Sequence, residues 1–274
     1  MRIIQIYFVV LLSAAFSLTA CNNNTSETKT KTAMIREENV AYASDSAALN
    51  GFLAYDSAIS GKRPVVLVIH EWWGLNDNIK NKVRQLAALG YLAFAVDMYG
   101  DGKMGNDPEA AGNLAAPFYT NTALVKSRFD AALAKVKTFP QADTGKIAAT
   151  GYCFGGAVVL NLARLGQDLK GVVSFHGSLI GVPADKQLLK AKILVCHGAD
   201  DQFVTPTEVA QFKKQMDSIG ADYKFVTYAG ATHAFTNPDA TATGKKFNLP
   251  IAYNAAADSG SWKEMQEFFE KIFK

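Results

Sequence analysis

From residue 65 to the carboxyl terminus, short runs rich in Val, Ile and Leu alternate with longer segments whose apolar residues recur at helical spacing. A run that is apolar at nearly every position, rather than at alternate ones, needs cover on both faces. The alternation is therefore the pattern of a parallel sheet flanked by helices. Strands are predicted at residues 65–69, 92–96, 146–150, 171–175, 192–196 and 223–227, with helices at 77–89, 122–138, 156–165, 207–219 and 259–273. In the first helix Ile79, Val83, Leu86 and Leu89 form one stripe, Asn76 or Asp77 can cap the start, and Gly90 stops it. Each strand–helix–strand unit is expected to cross over right-handedly. Residues 39–55 are read as one or two further strands joined near Ser46. Residues 97–121, rich in Gly, Asp, Asn and Pro, are read as an excursion that overhangs a site. There is no internal repeat, and residues 36–274 are expected to form one α/β domain.

The amino terminus has a different character. Arg2, the apolar run 3–12 and the small residues ending at Ala20 read as an export signal over residues 1–20. Cys21 follows at once, which resembles the bacterial lipobox, where that cysteine is acylated and becomes the mature terminus. Residues 21–35 are then a polar tether between lipid and domain. The expectation is an exported bacterial lipoprotein, membrane-anchored through Cys21 on the periplasmic or outer-surface face. Without Arg2 the chain carries 27 basic against 25 acidic side chains, and this balance argues against a nucleic-acid partner. No second stretch approaches the ~20 apolar residues of a membrane span. With Cys21 assigned to lipid, Cys153 and Cys196 remain, too few for a disulfide framework, and Cys196 reads as a buried hydrophobe.

The strongest local signal is Gly151-Tyr152-Cys153-Phe154-Gly155-Gly156, placed directly between a predicted strand and a predicted helix. It has the form of a nucleophile elbow with cysteine as the nucleophile. Such a turn is tight and strained, and it sets the sulfur at a helix N-terminus that favours negative charge. A dinucleotide fingerprint would need G-x-G-x-x-G, which is absent. In the α/β-hydrolase arrangement the nucleophile is followed by an acid and then a histidine, each in a loop after a later strand. His233 is the one histidine beyond the candidate acids, in the loop 229–233. The acid is sought in 197–204, where Asp200 and Asp201 compete. His70 and His197 are read as organisers of loops, and His176 as a pocket-wall or hydrogen-bonding residue.

At this point the chain resembles the dienelactone hydrolase family, over most of its length from about residue 54. The segments carrying the resemblance are His70-Glu71-Trp72-Trp73-Gly74, Val96-Asp97-Met98-Tyr99-Gly100, the cysteine elbow, Gly198-Ala199-Asp200-Asp201 and His233-Ala234-Phe235. The resemblance implies an α/β-hydrolase fold and sets the acid on Asp201, counted from Gly198. It further implies that Glu71 contacts the resting thiol and that the backbone N–H groups of Trp72 and Phe154 form an oxyanion hole. Trp73, Tyr99 and Asn237 are candidate pocket residues. Members acting on dienelactone place an arginine four residues after the histidine, where this chain has Asn237, so dienelactone itself is doubtful as substrate.

The reaction expected is hydrolysis of a small ester or lactone through a Cys153 thioester that His233-activated water resolves. No metal or other cofactor is expected, because no zinc-type ligand spacing or phosphate loop is present. Two other readings stay open: a tethered non-catalytic binding protein on the same fold, and acyl transfer or peptide hydrolysis in the same pocket.

Overall fold

A computed structural model describes residues 33–44 and 47–274. The export signal, Cys21, most of the tether and the Ser46 junction lie outside the described residues. Two antiparallel strands come first, β1 (Ile35–Ser44) and β2 (Ala47–Asp56), in register from Ile35↔Asp56 to Ser44↔Ala47. Six strands at the predicted places follow: β3 (Arg63–Ile69), β4 (Leu92–Val96), β5 (Ala142–Tyr152), β6 (Gly171–Phe175), β7 (Lys192–Gly198) and β8 (Tyr223–Tyr228). They join one sheet in the order β1-β2-β4-β3-β5-β6-β7-β8, parallel from β4 to β8. β5 starts earlier than its apolar run because its first residues pair with Arg63 and Pro64 before a register shift at Pro64/Val65.

The alternation within each strand divides the core. Val65, Leu67 and Ile69 of β3 face one layer, while Val66 and Val68 face the other. The first layer is covered by α3 (Thr122–Val136), α4 (Phe154–Arg164) and α5 (Pro206–Ile219), through Phe129, Val158 and Phe212 among others. The second is covered by α1 (Asp77–Ala88) and the C-terminal helix Ala255–Ile272, through Val83, Leu86, Met265 and Phe269. Of the two possible caps for α1, Asn76 makes the bond, its side chain accepting from Ile79 N–H.

Two helices depart from the sequence expectation. The excursion 97–121 contains α2 (Pro108–Thr120), capped by Asp107 with Pro in the first turn. Gly112, Asn113 and Pro117 mask its period. A short helix α6 (Ala240–Phe247) lies between β8 and the C-terminal helix, which is α7 and starts four residues earlier than expected because Asn254 caps it.

The order of strands locates the site. After β3 the chain crosses to β4 on one side, and after β4 it returns to β5 on the other side of β3. At this reversal the loops leaving the carboxyl ends of β3 and β5 diverge and leave a crevice. Those loops begin with His70-Glu71 and with Cys153.

Candidate active site

The elbow is built by close approach of backbone. A Cβ on Gly151 would stand 2.0 Å from Gly155 O, and one on Gly155 2.3 Å from Ile69 O, so both positions accept no side chain. Between them Cys153 adopts φ 52, ψ −113, a conformation that costs a non-glycine residue about 1–3 kcal/mol. The surroundings hold it there: Cys153 N–H is shared between Phe175 O at 3.0 Å and His176 Nδ1 at 3.1 Å. His176 and Ala234, both touching this site, also have positive φ. The sulfur is left at the N-terminus of α4, partly exposed to the crevice.

The imidazole arrives from the loop after β8. His233 Nε2 lies 3.0 Å from Cys153 Sγ, and its Nδ1 lies 2.8 Å from Asp201 Oδ2. Asp201 is itself pinned, because its Oδ1 accepts the N–H groups of Phe203 at 2.8 Å and Val204 at 3.3 Å. Asp200 has no part in this chain; its backbone N–H donates to Ala231 O and holds the two loops together. Burial alone would lower the pKa of His233. Negative charge on the Cys153 sulfur, with the Asp201 hydrogen bond, outweighs it and raises the value to about 10. The ring therefore favours its protonated form.

A second pair of groups belongs to residues that line the crevice together with Cys153. The N–H groups of Trp72 and Phe154, one in the β3 loop and one in the first turn of α4, donate to no described residue. His70 shapes the first of these loops. Its Nδ1–H donates to Glu71 O at 2.6 Å and its Nε2 accepts from Met98 N–H, so it is neutral, and burial lowers its pKa to about 4. His176 is likewise neutral, held far below its usual range by burial, with Nε2–H donating to Thr236 Oγ1 at 2.8 Å. His197 packs on Phe225 beside the acid loop.

Three expectations change. Glu71 enters the crevice, but Cys153 Sγ is bonded to His233, while the Glu71 Oε2 accepts from Asn237 Nδ2 at 2.7 Å and Asn78 Nδ2 at 3.5 Å. Burial pushes the Glu71 carboxyl up, against the pull of Asn237 and of the His233 charge. Asn237 is accordingly a buried partner of Glu71 that is absent from the wall of the Cys153 crevice and lines only an adjoining hollow beside Trp73. Tyr99 is no pocket wall either: it is buried, its ring lies against Phe154, and its hydroxyl donates to Trp72 O at 2.9 Å. Tyr99 thus stands behind the crevice wall and Asn237 beside it.

The crevice itself has about 770 Å³ of empty volume out to its open mouth. Trp72, Trp73 and Tyr119 line one part of it. Phe203, whose ring centroid is 4.9 Å from that of His233, lines another with Val204, Leu249 and Ile251. Leu249 and Ile251 were not legible in the sequence. They follow α6, and Ile251 is brought to the site by a bridge to His233.

The chain matches the dienelactone hydrolase family over residues 49–273. It is 33% identical over 201 residues to a protein of Aquifex pyrophilus called protein usf, covering 69% of this chain and 87% of that one. It is 30% identical over 230 residues to a candidate carboxymethylenebutenolidase of Methylorubrum extorquens, covering 78% of this chain and 74% of that one. Among solved structures, a dienelactone hydrolase-like promiscuous phosphotriesterase from metagenomic libraries superposes with a TM-score of 0.83 at 34% identity, over 88% of this chain and 99% of that one. A strained strand-to-helix turn at a topological switch point, the strand order and these likenesses agree, and the chain belongs to the dienelactone hydrolase family of α/β-hydrolases.

Proposed function

We propose that this protein hydrolyses a small carboxylic ester or lactone by a Cys153–His233–Asp201 triad, through an acyl-enzyme thioester. The observation that carries the reading is the unbroken chain of hydrogen bonds from Cys153 Sγ through both nitrogens of His233 to Asp201. A protein that merely bound a ligand would have no use for a strained sulfur aligned with a buried ion pair.

In this reading the sulfur attacks the carbonyl carbon while its proton rests on His233 Nε2. The carbonyl oxygen becomes an oxyanion that accepts from the N–H groups of Trp72 and Phe154, and the C–O bond to the leaving group then breaks. His233 delivers its proton to the departing alkoxide, leaving a thioester and a neutral imidazole. Water attacks the thioester as His233 takes one of its protons. The C–S bond breaks, the acid leaves, and sulfur and ring return to their starting state. Asp201 keeps the ring in the tautomer that presents Nε2 to the sulfur. Tyr99 fixes the Trp72 peptide from behind.

We assign Cys21 as the lipid attachment site of an exported protein, with residues 21–35 as its tether; the Cys21 context in the sequence supports this. Cys21→Ala is expected to move the protein from the membrane fraction to the soluble one, and unchanged fractionation counts against the anchor. For the chemistry, the test is mass spectrometry after exposure to 4-nitrophenyl acetate. An acetyl adduct on the Cys153 peptide is expected, together with loss of turnover in Cys153→Ala. Turnover by clean Cys153→Ala within about tenfold of the native enzyme overturns the triad.

A further inference from the structure

The crevice has a charge pattern that limits what can enter it. Besides the sulfur, its ionisable wall groups are Glu71, His233 and the Tyr119 phenol, and among the described residues no Lys or Arg lines it. The His233 ring is committed at both nitrogens. Two further polar neighbours, Ser178 and Asn237, are also engaged. Ser178 donates to Glu208 Oε1 at 2.8 Å and accepts from Ile180 N–H. Asn237 uses both ends of its amide, donating to Glu71 and accepting from Asp239 N–H at 3.0 Å. What remains on the wall is aromatic or aliphatic: Trp72, Trp73, Phe203, Val204, Leu249 and Ile251, together with the phenol of Tyr119, which adds a hydroxyl but no positive charge.

A carboxylate on the substrate would lose its hydration here with no uncommitted cation to replace it, since the His233 ring is held by Cys153 and Asp201, and it would stand beside the buried Glu71 carboxyl. An uncharged acyl or alcohol group would instead exchange water for aromatic and aliphatic contact. Resting on Cys153 as the nucleophile, we propose that the natural substrate is an uncharged ester or lactone with an apolar body, and that the crevice discriminates against esters carrying a carboxylate.

The experiment compares two substrates with one skeleton, mono-4-nitrophenyl adipate and its terminal methyl ester, at about pH 7.5, with the adduct on Cys153 followed by mass spectrometry. The neutral diester is expected to be favoured by at least about 100-fold in kcat/KM, because the anion meets no partner. Leu249→Arg, which adds a cation to the wall away from the reacting groups, is expected to narrow that ratio to about tenfold or less, whereas Leu249→Gln leaves it. A ratio below about threefold, or preference for the anion, with Cys153 still acylated, overturns the substrate class and leaves the nucleophile standing. A ratio that folded Leu249→Arg does not narrow overturns its electrostatic origin. Absence of any Cys153 adduct removes the hydrolase reading and this inference with it.

Discussion

Asp201→Asn is expected to be more damaging to turnover than Asp201→Ala, although it removes less. Oδ1 of Asp201 accepts two backbone N–H groups, those of Phe203 and Val204, and Oδ2 faces His233 Nδ1 at 2.8 Å. An asparagine must keep its oxygen toward the two N–H groups, which turns its NH₂ toward Nδ1. The ring can then accept there only as the tautomer with its proton on Nε2, which points at the sulfur and cannot take a proton from it. A wrong tautomer of this kind costs on the order of 10³–10⁴ in kcat/KM, about 4–5.5 kcal/mol. Alanine leaves both tautomers open and lets water take the place of the carboxylate, so a smaller loss is expected. Folding follows the opposite order, since alanine orphans the buried Val204 N–H at about 1–3 kcal/mol, while asparagine retains it. Steady-state hydrolysis of 4-nitrophenyl acetate and urea melts on the two variants give both orders. Asn matching or exceeding Ala in kcat/KM would refute the tautomer argument. The sign of the pH effect follows too. Asp201 helps hold His233 up at about 10, so either variant lowers that value, and the alkaline limb of kcat, where the ring loses the proton it must donate, moves to lower pH.

Native protein treated with iodoacetamide is expected to be alkylated at Cys153 and spared at Cys196, whose thiol is buried and pushed up to about 12; equal labelling before denaturation would contradict this. Gly155→Ala is expected to cost more than about 3 kcal/mol or to prevent folding, because the new methyl meets the Ile69 carbonyl rather than a movable side chain; a melting temperature near that of the native chain would count against the elbow geometry. His70 is held at about 4 by burial, so between about pH 6.5 and 4 the unfolded chain binds a proton that the folded one refuses. Its contribution is harmless above pH 6.5 and removes about 3 kcal/mol of stability as pH falls through that window. His70→Asn is expected to flatten the dependence of urea stability on pH there, and an unaltered slope would exclude His70 as its source.

The strand–helix alternation was legible because both periods are written in residues that are neighbours along the chain. Four predicted strands begin at their observed starts, residues 92, 171, 192 and 223, and two of them coincide at both ends: residues 92–96 and 171–175. The elbow was legible for a related reason: a turn this tight demands glycine at fixed offsets from the nucleophile, and Gly151 and Gly155 stand there. Even the choice between Asp200 and Asp201 depended on a local register counted from Gly198, and the structure turns Asp201, not Asp200, toward the ring. Helix α2 escaped because Gly112, Asn113 and Pro117 blur its period although Asp107 caps it, and α6 because it is only eight residues long, contains Gly244 and has no side-chain cap at its start.

What the sequence determined, then, was everything carried by short-range geometry: the order of strands and helices, the bend at Cys153, and the presence of an acid and a histidine in later loops. Tertiary structure alone decided which way the loop side chains turn. Tyr99 turns behind the Trp72 peptide, Asn237 turns to Glu71 and Asp239, and Leu249 and Ile251 reach the crevice from beyond α6. Those directions depend on where separate strand ends converge at the reversal of the sheet, and chain neighbours carry no record of that convergence.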